Sequence, residues 1–103
     1  MAAIDDIATE RMKQTEVEGY SSNIDDLHMD HELICAALVY TILNFPVGAF
    51  GSEEVEDSIL ACWPWGSESL SIGDERSNLV KAAAFIIAEI ERLDRAKVRN
   101  EEM

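Results

Sequence analysis

The sequence predicts an all-α protein: a small bundle of three main helices, with a long irregular connection between the second and the third. Two observations carry this. Apolar residues recur at steps of three and four in separate stretches, the spacing of one helix face. The breakers lie together elsewhere, since residues 45–73 hold both prolines and four of the five glycines. With 103 residues and 48% hydrophobic side chains, the chain has material for one modest core and not for two. A single helical domain over 1–103 is expected, frayed at 1–3 and 99–103.

The first helix is expected from about Ile4 to Glu18, with Ile4, Ile7, Met12 and Thr15 as a thin apolar edge and Gly19 as its stop. Residues 19–30 are rich in turn formers and end in Asp30, a suitable N-cap. The second helix, His31 to Asn44, is apolar all round its centre, Leu33 to Leu43, which marks the buried middle of a bundle. It stops before Pro46, which disfavours helical geometry at Phe45.

A short helix is expected after Ser52, where Glu53, Glu54, Glu56 and Asp57 suit the positive end of the helix dipole. It is followed by an irregular crossing, CWPWG. The third main helix begins at its cap Asp74. In it Leu79, Ala83, Ile86, Ile90 and Leu93 recur at steps of four, three, four and three. This stripe is expected to face the core, so that a charge at Ile86 would unfold the chain. Glu91, four residues before Arg95, is expected to pair with it on the outer face.

Charge is distributed very unevenly. The chain carries a net charge of −13, and between Lys13 and Arg76 there is no lysine or arginine, while residues 14–75 hold thirteen carboxylates. Such a field repels nucleic acid, membrane surfaces and acidic metabolites, and suits a basic protein surface or a cation. The two cysteines, Cys35 and Cys62, are too few for a disulfide framework and fit a reducing compartment. The N-terminus is acidic where a signal peptide is basic, and the longest apolar run is about half of the roughly 20 residues a membrane span needs. A cytoplasmic protein without direct nucleic-acid or membrane binding is expected.

Three groups of residues invite a chemical reading. Asp25, Asp26, His28, Asp30, His31 and Glu32 combine imidazole and carboxylate in eight residues, a donor set for Zn²⁺ or Mn²⁺. A helix cap at Asp30 followed by a solvated loop explains most of the same residues, and no cofactor is expected. Glu53, Glu54 and Asp57 with Glu91 and Asp94 write E-E-x-x-D and E-x-x-D, which resembles the magnesium-binding pattern of the all-helical nucleoside triphosphate pyrophosphohydrolases. The spacing is long for that family, Glu91 and Asp94 each follow a stripe residue by one step, and the central segment has no cation to meet phosphates. Trp63 and Trp65 flank Pro64 and could clamp a base, or seal the core of the bundle. No serine or cysteine has the histidine context of a nucleophile, and there is no glycine-rich phosphate loop.

Taken together, ERMKQTEVEGYSSNIDDLHMDHEL, CWPWG and DERSNLVKAAAFIIAEIERLDRAK resemble a group of small phage and prophage proteins. The positions that carry the resemblance are Glu10, Arg11, Gln14, Asp25, Asp26, His28, Glu32, Leu33, Tyr40, Trp63 to Trp65, Leu79 to Lys81 and Ala88 to Arg95. Tyr20 departs from the pattern, where those proteins tend to have tryptophan. The resemblance implies a phage origin and an accessory role in the host cell.

The function expected from these observations is non-enzymatic: a stoichiometric binder or inhibitor of a host nucleic-acid-handling or defence protein. Glu53, Glu54, Glu56, Asp57, Trp63 and Trp65 are its contact residues in this reading, with Asp25, Asp26, His28, His31 and Glu32 as candidate metal ligands. The alternatives are a protein that sequesters a nucleotide signal, across the interface of a homo-oligomer, and a metal-dependent nucleotide pyrophosphohydrolase.

Overall fold

The computed structural model describes residues 2–16, 31–46, 49 and 53–102, and the described residues contain four α-helices and no strand. In chain order these are α1 (Ala3–Glu16), α2 (Glu32–Ile42), α3 (Glu53–Leu60) and α4 (Glu75–Glu102), with a single 3₁₀ turn, Ser67–Ser69, in the connection before α4. The all-α class is the expected one. α4 continues to Glu102, through residues expected to fray. At 28 residues it runs about 42 Å, nearly the longest dimension of the molecule, 47 Å. It serves as the spine: α1 and α2 both pack on α4, and α3 packs on α2.

α2 is the buried centre that its composition predicts. Leu33, Ala36, Ala37, Val39, Tyr40 and Ile42 are buried. Leu33, Ala36, Ala37 and Tyr40 meet Ala82, Phe85 and Ala88 of α4, with Leu43, Trp63, Trp65 and Leu70 packed around them. Alanine on both sides of this contact lets the two helix backbones approach closely, and the aromatic rings fill the volume that remains.

The start of α4 is capped as its sequence predicts. The Ser77 amide donates to Asp74 Oδ1 at 2.7 Å, and the Asn78 amide to the Asp74 carbonyl at 2.9 Å. The buried Asn78 then ties three segments together. Its Nδ2 donates to Asn44 Oδ1 at 3.1 Å, its Oδ1 accepts the Gly73 amide at 2.9 Å, and Asn44 Nδ2 donates to the Glu75 carbonyl at 3.0 Å. A side chain at Gly73 would press on Ser77, since a Cβ there would lie 2.8 Å from Ser77 Oγ.

Two expectations are corrected here. The N-cap of α2 is His31, in a left-handed conformation (φ 70°) and with no side-chain cap bond; Asp30 lies outside the described residues. More consequentially, the 4-3-4-3 stripe of α4 does not face the core. Leu79, Ile86, Ile90 and Leu93 are 51, 42, 51 and 52% exposed. The core face of α4 lies about a third of a turn away and is made of Asn78, Ala82, Ala84, Phe85, Ala88, Glu89 and Arg92. The periodicity identified a real apolar face. Alanines and polar residues that can pair are what the bundle buries instead.

Candidate functional site

The acidic helix α3 is short and is held by backbone hydrogen bonds. Asp57, Ser58 and Ala61 lie three, four and seven residues beyond Glu54 and all four are exposed, so they form one outward face. Ser58 Oγ donates to the Glu54 carbonyl at 2.8 Å, and the Cys62 thiol to the Ser58 carbonyl at 3.4 Å. Glu56 is half-buried. Val55 and Leu60 are exposed beside the acids, so α3 presents carboxylates and apolar side chains together. The side chain of Glu53 lies outside the described residues.

The tryptophans that follow α3 turn inward. Trp63 lies edge-on to Tyr40, with ring centres 5.5 Å apart, and Trp65 packs on Phe85 at 5.6 Å. The two indoles meet each other at 5.2 Å and 85°. Rings at that angle and distance leave no parallel slot between them for a base. Trp63 Nε1 donates to the Gly66 carbonyl at 3.1 Å, which holds the CWPWG turn closed. Both indoles are half-buried, so each has a core-facing part and an accessible rim. Tyr40 anchors the same crossing, because its hydroxyl accepts the Ser71 amide at 3.1 Å. Lys81 donates to the Ser71 carbonyl at 2.7 Å and lies 5.6 Å above the Tyr40 ring.

The end of α3 also brings the two cysteines together. Burial raises the pKa of Cys35, and its hydrogen-bonded neighbour Cys62 and then Glu32 push it further in the same direction. Cys35 is therefore held as a thiol and is a poor nucleophile.

A polar seam between α1 and α4 escapes sequence reasoning. Arg11 Nε donates to Glu91 Oε1 at 3.1 Å, and Arg76 to Asp6 Oδ2 at 2.6 Å. Arg92 pairs with Glu89 at 2.5 Å, with both side chains nearly buried. Gln14 is 1% exposed, and among the described residues its Oε1 has no hydrogen-bond partner. The expectation that Glu91 pairs with Arg95 is thus replaced by a bond from Glu91 across to α1. Arg11, Gln14, Glu89, Glu91 and Arg92 each read in the sequence as a surface side chain, so its local pattern carries no signal of this seam.

Among the candidate metal ligands, Asp25, Asp26 and His28 lie outside the described residues. His31 is exposed at the cap of α2 and Glu32 occupies its first turn. Among the described residues no group of three histidine, cysteine, aspartate or glutamate side chains is arranged to hold a metal ion, and no helix is long and apolar enough to cross a membrane. Compared with known proteins, the chain matches no family model, no curated protein and no solved structure.

Proposed function

We propose that this protein is a non-enzymatic binding module that docks its acidic helix α3, with the rim of the CWPWG turn, on a basic surface of another protein. The observation that supports the reading most directly is the outward face of α3. Glu54 and Asp57 are exposed there beside Val55 and Leu60, in a stretch of 62 residues that contains no lysine or arginine. Carboxylates steer a cationic partner into encounter, and the adjacent apolar side chains supply area to bury once it arrives. The packing of Trp63 against Trp65 ranks this docking above a nucleotide clamp. Engagement of Glu91 by Arg11 likewise ranks it above a pyrophosphohydrolase that would need Glu91 for metal. With the resemblance to small phage proteins, the proposed target is a nucleic-acid-handling or defence protein of the host.

The test is capture from host lysate followed by kinetics on the identified partner. A basic partner is expected, with association slowing as salt shortens the Debye length from about 10 Å to about 3 Å. Reversal of Glu53, Glu54, Glu56 and Asp57 to lysine is expected to slow association far more than it speeds dissociation. Binding that ignores both salt and charge reversal, yet is lost in Trp63→Ala or Trp65→Ala, refutes the electrostatic reading.

A further inference from the structure

α4 carries two apolar faces, and the described fold uses one of them. The second face, Leu79, Ile86, Ile90 and Leu93 with Ile87 beside them, leaves each of these side chains between 36 and 52% exposed. We propose that this face is the contact surface of a homodimer, occupied by the same face of a second copy of the chain.

Three observations select a second copy over another occupant. First, with the half-buried Ala83 included, the stripe steps by four, three, four and three, an average of 3.5 residues, the repeat of a two-helix seam in which knobs on one helix fill holes on the other. Such a seam needs the same repeat on its partner, and an identical helix meets that need about a two-fold axis. Second, a chain of net charge −13 repels its own copy unless contact is made where the local charge cancels. Residues 75–102 hold six acids against six of the chain's eight bases, so α4 is the near-neutral element. Third, the area is sufficient. Five half-exposed aliphatic side chains make a patch of roughly 400 Å², within the range of the largest patch on a typical monomer. Two copies closing on it, with their flanking residues, bury roughly 1,000 Å², the threshold of a specific interface.

The charges at the ends of the stripe also choose its direction. Arg76, three residues before Leu79, and Lys97, four after Leu93, continue its line. A parallel pairing stacks each cation on its own copy. An antiparallel pairing centred on Ile86 sets the Leu79 end of one helix against the Leu93 end of the other, and brings Lys97 to the Glu75 end. This proposal does not rest on the docking role of α3.

The experiment is light scattering on purified full-length protein over about a hundredfold range of concentration. The expected mass is twice the 11.5 kDa of the chain, and Ile86→Glu with Ile90→Glu is expected to give a single-chain mass with unchanged helical circular dichroism. Ile72→Glu, an exposed site outside α4, is expected to leave the dimer intact. Should the double variant fail to fold, the milder Leu93→Ser decides, with an expected weakening of the dimer of about tenfold and helix content retained. A wild-type mass of one chain at every concentration overturns the proposal, and loss of fold in Leu93→Ser assigns the stripe to cover within the chain. A dimer indifferent to all of these substitutions overturns it too, and moves the interface elsewhere.

Discussion

Phe85 and Ile86 are neighbours in sequence with opposite surroundings, and truncating each in turn tests the fold. Phe85 is 2% exposed and its ring contacts Tyr40, Trp65 and Trp63 at centre distances of 6.1, 5.6 and 6.5 Å. Phe85→Ala removes all three contacts and leaves a cavity, at a cost of about 3–5 kcal/mol. Each lost aromatic pair contributes roughly 0.5–1.5 kcal/mol of that beyond area alone. Ile86 is 42% exposed, so truncation forfeits about half the value of a fully buried side chain, roughly 1 kcal/mol. Where the dimer forms, Ile86→Ala is expected to lose more than this, because the contact with the second copy goes too.

The assay is urea unfolding followed by circular dichroism and tryptophan fluorescence at low protein concentration. Small domains lose about 1–3 kcal/mol per molar urea, so Phe85→Ala is expected to lower the midpoint by roughly 2 M and Ile86→Ala by under about 0.5 M. Against a total stability of about 5–15 kcal/mol, the first loss is a large fraction of the whole. The spacing of α4 alone predicts the reverse, with Ile86 in the core and Ile86→Asp unfolding the chain. Equal losses, or the larger loss at Ile86, refute the orientation of α4 described here.

Asp74→Ala removes the cap bond to the Ser77 amide and is expected to cost about 1 kcal/mol, read as a lower urea midpoint, while Asp74→Asn costs little. For Cys35 the folded pKa is raised above its ordinary 9.0. The folded chain then keeps a proton that the unfolded chain releases, so this contribution to stability is intact below about pH 9 and is lost as the pH rises beyond it. The urea midpoint is expected to fall in that alkaline range, and the fall to flatten in Cys35→Ala; an identical pH profile in the variant refutes the assignment. Adding Zn²⁺, Mn²⁺ or Mg²⁺ is expected to leave the melting temperature nearly unchanged, and a rise that vanishes in His28→Ala with His31→Ala overturns that reading.

The elements were legible in the sequence because each has a local cause. Asp74 announces the start of α4, Pro46 ends α2, and the all-round apolar run of α2 predicts its burial. What local pattern leaves open is which of two apolar faces of α4 the bundle takes. Leu79, Ile86, Ile90 and Leu93 are four large aliphatic residues, whereas Ala82, Phe85 and Ala88 offer one large side chain between two alanines, so a count of hydrophobicity favours the wrong face. The choice depends on what approaches from outside the helix. α2 offers Ala36 and Ala37 beside Tyr40 and Leu33, a surface that fits small residues and one ring. The polar seam is hidden for the same reason, since a buried Gln14 or Arg92 looks like surface until α1 and α4 pack together.

That seam bears on why the larger side chains of α4 are left outward. Gln14, Glu89 and Arg92 are each under a tenth exposed, and burying them gains little stability, because a buried ion pair roughly repays its own desolvation. A bundle selected for stability alone would place Ile90 and Leu93 inward and Glu89 and Arg92 outward, which needs only a rotation of α4 about its axis. The inward polar groups oppose that rotation, since turning α4 would break the Arg11 bond to Glu91 and the Asn78 ties to Asn44 and Gly73. The seam therefore fixes the register of α4 and keeps the Leu and Ile face available to a partner. Replacing Glu89 and Arg92 together by leucine and methionine is expected to leave the monomer about as stable by urea unfolding, and to weaken or scramble the dimer. A double variant that is monomeric and more than about 3 kcal/mol less stable would show that the pair holds the fold itself rather than the orientation of the helix.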